Sequence, residues 1–164
     1  MDVIFAPWRM AYVRKSERTE GCIFCKGRSR SDDLMLREGR TAFVMMNRYP
    51  YTTGHLMVIP FRHVGEIAVL TKEERAEMFD LLDLSTDALR RAMNPDGFNI
   101  GMNLGRAAGA GVDDHLHVHI VPRWNGDTNF MGVVGEVRVI PEDVARTRDR
   151  LRPFLENTRP GGLK

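Results

Sequence analysis

No apolar run in these 164 residues approaches the roughly 20 that a bilayer-crossing helix needs. The opening stretch MDVIFAPWRM also lacks a basic leader, a long apolar segment and a small-residue cleavage site, so it does not read as a secretory signal. Together these absences predict a cytoplasmic protein with no membrane partner. Cysteine is scarce: only Cys22 and Cys25 occur, which excludes a disulfide-stapled scaffold. An excess of either charge is missing too. The 24 basic against 22 acidic side chains leave a net +2, too little for a global field that would draw nucleic acid or an anionic membrane. The basic stretch that holds Arg9, Arg14, Lys15 and Arg18 is short and has no interleaved aromatics beyond Trp8 and Tyr12, so it makes no nucleic-acid face. Repeats and low-complexity linkers are absent as well.

What is present is enough apolar residue, 43%, for one core, in a chain too short for a second full domain. The reading is therefore one domain over 1–164, with a basic arm over about residues 1–20 and a frayed tail from about residue 158. TAFVMMN (41–47) and GHLMVIP (54–60) are short runs rich in β-branched and aromatic residues, bounded by turn signals, and predict an antiparallel pair. LTKEERAEMFDLLDLSTDALRRAM follows. Thr71 and Glu74 have capping-box spacing, while Met78, Leu81, Leu82, Leu89, Ala92 and Met93 recur at helical spacing and predict core packing. FNIGMN, LHVHIVP and VVGEVRVI read as further strands, and PEDVARTRDRLRPFL as a closing helix with Pro141 in its first turn. The fold class expected is α+β, a mainly antiparallel sheet with two helices.

The chemistry concentrates in DDHLHVHIVPRW. Three of the five histidines stand at every second position, so on a strand His115, His117 and His119 share one face, with same-face neighbours about 6.5 to 7 Å apart. Leu116, Val118 and Ile120 take the other. Three imidazoles on one face can attack, donate or ligate a metal; the plainer alternative is a polar strand face. Upstream, GRAAGAGVDD offers Gly105, Gly109 and Gly111, whose backbone can approach a phosphate. It has neither the Lys-Ser/Thr of a P-loop nor the strand-to-helix setting of a dinucleotide fingerprint. Cys22-x-x-Cys25 is half a metal site or a redox pair.

HLHVHIVPR resembles the His-x-His-x-His-x-x signature of the histidine triad family. GCIFC, NRYPYTTGHLMVIPFRHV, GFNIGMNLG, the glycine-rich loop and HLHVHIVPRWNGDTNFM arrive in the family's order over about residues 6–140. APWRM, PRWNGDTNF and VRVIPE look most like its branch of diadenosine polyphosphate phosphorylases and hydrolases, rather than the purine nucleoside phosphoramidases. The resemblance implies a HIT-like fold and a nucleotidyl transferase or hydrolase that passes through a nucleotidyl-histidine. His117 would be the nucleophile and His119 a donor to phosphate or leaving oxygen. Gly109, Ala110 and Gly111 would offer amides to the α-phosphate, Asn103 would help hold the polyphosphate, and Asn47 would bind ribose, the plainer alternative being that it begins the turn NRYPYTTG, which its chemistry also suits. His55 would support His117 from behind, through that residue's carbonyl. Cys22, Cys25, His63 and His115 match the ligands of zinc-bearing members, which implies a structural zinc and no organic cofactor. Where many members carry glutamine four residues before the first histidine, this chain has Gly111, so backbone contacts must serve. Implied partners are a dinucleoside polyphosphate or adenine nucleotide, inorganic phosphate, and a second copy in a homodimer or larger assembly. Arg123, Trp124, Asn125 and Asn129 are candidates to position phosphate as the acceptor. A phosphoramidase and a nucleotide-binding regulatory module are the alternatives.

Overall fold

A computed structural model describes residues 21–27, 34–108, 112, 114–127 and 140–156. The arm, the tail and all but the last residue of the expected strand VVGEVRVI lie outside them. Five strands form one antiparallel sheet: β1 (Met35–Glu38), β2 (Ala42–Met46), β3 (Leu56–Pro60), β4 (Gly97–Gly101) and β5 (Val118–Arg123), in the order β1-β2-β3-β5-β4. The expected pair is β2 and β3, in register from Ala42↔Pro60 to Met46↔Leu56. All ten of their residues are buried, as expected of continuous apolar runs covered on both faces. The other two anticipated strands are β4 and β5, and β5 lies between β3 and β4.

Among the described residues three α-helices accompany the sheet: α1 (Ile23–Gly27), α2 (Lys72–Met93) and α3 (Val144–Glu156). Two were expected; the third is a short turn that carries Cys25 and directly follows Cys22. Helix α2 packs on β2, β3 and β5, and α3 packs on α2 and β1. The capping box is present: the Glu74 amide donates to Thr71 Oγ1 at 3.2 Å, and the Glu74 carboxylate accepts from the Thr71 amide at 2.8 Å. Such a cap is worth about 1 kcal/mol. Asn94, at φ 47°, closes the helix in the left-handed region. Met78, Leu81, Leu82 and Leu89 are buried, while Ala92 and Met93 pack at the margin of the core.

Helix α3 begins later than expected. Pro141 precedes it, and Asp143 caps it by accepting from the Ala145 amide at 2.8 Å. At its far end the Arg37 guanidinium from β1 donates to the carbonyls of Leu155 and Glu156, satisfying helix-end acceptors. The β1–β2 turn is tied to α2 through Glu77, whose carboxylate accepts from the amides of Arg40 and Thr41 and from the Thr41 hydroxyl. Gly39 makes that approach possible, since a Cβ there would sit 2.7 Å from the Ala42 carbonyl oxygen and 2.8 Å from Glu77 Oε1.

Candidate catalytic and metal sites

The β5 ladder starts at Val118, paired with Val58. Of the three alternating histidines only His119 is a strand residue; His115 and His117 lie in the segment that leads into the strand. Outside the ladder the carbonyl of His115 is left to accept from a side chain, and His117 Nδ1–H donates to it at 2.9 Å. A neutral imidazole has one N–H. With Nδ1 committed as donor, Nε2 of His117 carries a lone pair. Burial lowers the pKa of His117, while the bond to the carbonyl opposes the shift.

The tautomer of His119 is set from the other side. The pairing Met57↔His119 puts His55, two residues back along the chain and on the same face, diagonal to His119. His55 Nε2 lies 2.9 Å from His119 Nδ1. The backbone N–H of Tyr51 donates to His55 Nδ1 at 3.0 Å, so the proton of neutral His55 is on Nε2 and is donated to His119. That leaves the proton of His119 on its Nε2, a buried atom with no hydrogen-bonding partner among the described residues. The rings of His117 and His119 meet edge to face, with centroids 4.8 Å apart. Burial, aided by the neighbouring His117, pushes the pKa of His119 down to about 4. His55 therefore meets His119, not His117 as expected; the register decides this, and the carbonyl of His115 holds His117.

His115 faces a different set of groups. Its Nε2–H donates to the Pro60 carbonyl at 2.9 Å, leaving Nδ1 3.2 Å from Cys22 Sγ and 3.6 Å from Cys25 Sγ. His63 Nδ1 lies 3.4 Å from Cys25 Sγ. One ligand atom from each of the four residues falls within 4.8 Å of all the others. A tetrahedral Cys₂His₂ ion with ordinary bond lengths needs sulfur–nitrogen edges of about 3.5 Å, so the four residues can hold a metal. The Pro60 carbonyl supplies the outer hydrogen bond that fixes a ligating imidazole.

Phe24, between the two cysteines on α1, is a site residue that the sequence reading missed. It is buried, with its ring 5.5 Å from that of His115 and 5.0 Å from that of His117, so the cysteine-bearing turn also forms a wall for His117. Its one signal was a bulky apolar residue inside the Cys-x-x-Cys. Asn47 follows β2 at the start of the turn: Oδ1 accepts from the Tyr49 amide at 2.9 Å, while Nδ2 lies 3.4 Å from His55 Nδ1. Asn103 follows β4 by two residues, beyond the end of the ladder where Gly101 pairs with His119. Gly109, Ala110 and Gly111 lie outside the described residues, as does Asn129. Arg123 is not brought to the imidazoles. It is four residues along the strand from His119, about 13 Å, and its guanidinium binds Asp127 and Asn99. Trp124 donates to the carbonyls of Met93 and Asn94, and the Asn125 amide to Asp96. These residues fasten the strand end to the end of α2.

A family model described as the HIT domain matches residues 28–126. The chain is 37% identical over 155 residues to the AP-4-A phosphorylase of Mycobacterium tuberculosis, covering 88% of this chain and 80% of that one. It is 32% identical over 105 residues to an adenosine 5′-monophosphoramidase of Schizosaccharomyces pombe, covering 63% and 75%. Among solved structures, a Zn-bound histidine triad family protein from Mycobacterium smegmatis superposes with a TM-score of 0.68 at 31% identity, covering 83% of this chain and 94% of that one.

Proposed function

Since the chain belongs to the HIT domain family, we propose that it cleaves dinucleoside polyphosphates, diadenosine tetraphosphate among them, through a nucleotidyl-His117 intermediate with inorganic phosphate as acceptor. One observation carries the reading: a lone pair on His117 Nε2 stands beside a donor on His119 Nε2, each tautomer fixed by a hydrogen bond at the opposite ring nitrogen. Nucleophile and donor are adjacent, and neither needs a proton change before reaction.

His117 Nε2 attacks the α-phosphorus, the bond to the bridging oxygen breaks, and its electron pair leaves with the nucleoside polyphosphate. His119 donates to the oxygens on which negative charge grows. Phosphate then attacks the same phosphorus and displaces His117, so diadenosine tetraphosphate and phosphate give ATP and ADP. Asn47, Asn103 and the backbone of Gly109, Ala110 and Gly111 hold ribose and phosphates in this reading. Phosphate as acceptor is supported by the 37% identity to a phosphorylase, and not by Arg123, whose guanidinium is otherwise engaged.

Cys22, Cys25, His63 and His115 hold a structural zinc, which supplies cross-linking of the cysteine turn to the catalytic segment and takes no part in bond breaking. The working unit is a cytoplasmic homodimer or larger homo-oligomer. The test is turnover of diadenosine tetraphosphate with labelled phosphate. Label should appear as the β-phosphate of ADP, and His117→Ala should abolish turnover while nucleotide binding survives. Formation of AMP and ATP at one rate with or without phosphate would make the enzyme a hydrolase. Undiminished turnover by His117→Ala would end the assignment.

A further inference from the structure

We propose that Cys22 and Cys25 form a reversible oxidation site, in which a peroxide joins the two sulfurs as a disulfide, breaks up the set of residues that can hold a metal, and moves the wall against His117. The site stands on sulfur geometry; its effect on turnover rests on His117 as the nucleophile. Cys25 is exposed and Cys22 half-buried, and both are free thiols. Their sulfurs lie within 4.8 Å of each other. A cavity of about 570 Å³ has Cys22, Cys25 and His63 in its walls, ample room for a molecule of two oxygen atoms. Buried structural cysteines are inert because no reagent reaches them, whereas these two are reached from solvent.

The step balances without any further reagent. Held by a cation, both sulfurs are thiolates, the form that attacks a peroxide. One thiolate attacks a peroxide oxygen; the S–O bond forms, the O–O bond breaks, and the departing hydroxide takes a proton from solvent and leaves as water. The other thiolate attacks that sulfenic sulfur; the S–S bond forms, the S–O bond breaks, and the second oxygen leaves as water in the same way. Two electrons have passed from the sulfur pair to the peroxide. Of the four ligand atoms only those of His63 and His115 then remain, too few to close a tetrahedral site.

Closing the bond contracts the turn. Residues three apart on a helix have their Cβ atoms about 5 to 6 Å apart, whereas a disulfide draws them to about 3.8 Å, so the backbone must move by about 1 to 2 Å. Phe24 stands between the two cysteines, its ring 5.0 Å from that of His117 and 5.5 Å from that of His115, and is carried along. The Cys22 sulfur also leaves His115 Nδ1, which it meets at 3.2 Å in the reduced protein, and the carbonyl of His115 is what holds the ring of His117. His119 is held from β3 by His55 and lies off this path.

The experiment treats the zinc-loaded full chain with hydrogen peroxide and follows sulfurs, metal and turnover together. Two thiols should be lost to alkylation while the intact mass falls by two hydrogens, and zinc should pass to a chromogenic chelator on the same time course. Turnover of diadenosine tetraphosphate should drop about 10- to 100-fold, the range for a reacting group displaced by about 1 Å. A dithiol reductant with added zinc should restore it, which it cannot do after methionine oxidation. In ¹⁵N-histidine protein the ring signals of His117 should move on oxidation more than those of His119, a readout that needs no turnover. Cys25→His keeps four ligands but lacks the second sulfur, so, compared with itself before peroxide, it should lose far less turnover than the wild type does. Thiols that stay open to alkylation, sulfurs that collect oxygen without pairing, full turnover by the disulfide form, or equal losses in Cys25→His and wild type would overturn the proposal. A chain that forms the disulfide, releases zinc and shifts His117, yet turns over no diadenosine tetraphosphate when reduced, removes the nucleophile reading and leaves the oxidation site standing.

Discussion

Lowering the pH from 7 to 5 should destabilise the fold by about 2 kcal/mol through His119 alone. The ordinary histidine pKa of 6.5 falls to about 4 in the folded protein, because the side chain is largely buried and His117 stands beside it. Above pH 6.5 His119 is neutral in both states and contributes nothing to the pH dependence. Below that, the unfolded chain takes up a proton that the folded chain refuses, so stability declines as pH falls and levels off only below about 4. The full span corresponds to about 3 kcal/mol. His117 is shifted down as well, chiefly by burial, and acts in the same direction. The contribution of His119 is isolated by His119→Asn, in which Oδ1 can take the place of Nδ1 and accept from His55. Urea denaturation of both proteins at pH 7 and pH 5 gives the difference. With a slope of about 2 kcal/mol per molar urea, the wild-type midpoint should drop by about 1 M more than that of the variant. Midpoints that fall in parallel, or a wild type that gains stability on acidification, would refute the placement of a neutral, half-buried imidazole at position 119.

If the cysteine–histidine cluster holds zinc, the purified protein should contain about one zinc per chain, and Cys22→Ser should lose both metal and thermal stability, since metal-binding free energy is folding free energy here; full stability in metal-free protein with both thiols reduced would defeat that reading. Glu77→Ala leaves two turn amides and a hydroxyl without their carboxylate and should cost about 2 to 3 kcal/mol in chemical denaturation, with Glu77→Gln recovering part of the loss. Gly39→Ala puts a methyl against the Ala42 carbonyl and should cost about 1 to 3 kcal/mol; a thermal midpoint equal to wild type would show that the turn has room.

Helix α2 was legible because its signals are local: Thr71 and Glu74 at capping-box spacing, a 3.6-residue apolar repeat, and Asn94 ready to adopt positive φ. Strands β2 and β3 were legible as short apolar runs around a turn. β1 was not, since four residues that include Arg37 and Glu38 at a sheet edge carry no alternation to detect. The start of α3 was misjudged because proline and aspartate both mark helix starts, and Asp143 is the one that caps. At the site, the alternation of His115, His117 and His119 was visible, as were the four residues that can hold a metal. Their division into two chemistries was implied by the family resemblance and not by the alternation itself. It depends on where the ladder stops and on the register of β3 against β5, which is tertiary information. Arg123 illustrates the converse: a cation in a suggestive segment is claimed by Asp127 and Asn99, neither adjacent to it in sequence.

The concentration of imidazoles on one segment has a backbone cause. Within a ladder, carbonyls are consumed by the neighbouring strand; just outside one they are available to side chains. With the first β5 pair at Val118, the carbonyl of His115 accepts from the ring of His117 and fixes its tautomer. Extending the pairing with β3 toward the N-terminus would draw that segment into the ladder and place its carbonyl in competition for strand bonds. His115 is meanwhile held at its ring by Pro60 and by its position against Cys22. The same residue thus meets the cysteine cluster with its side chain and holds His117 with its backbone. Phe24 makes a second bridge, since its ring lies against both imidazoles. A displacement of the cysteine turn would therefore reach His117 by two routes, one through the carbonyl that orients it and one through the aromatic wall beside it, whereas His119, oriented from β3 by His55, would feel neither directly.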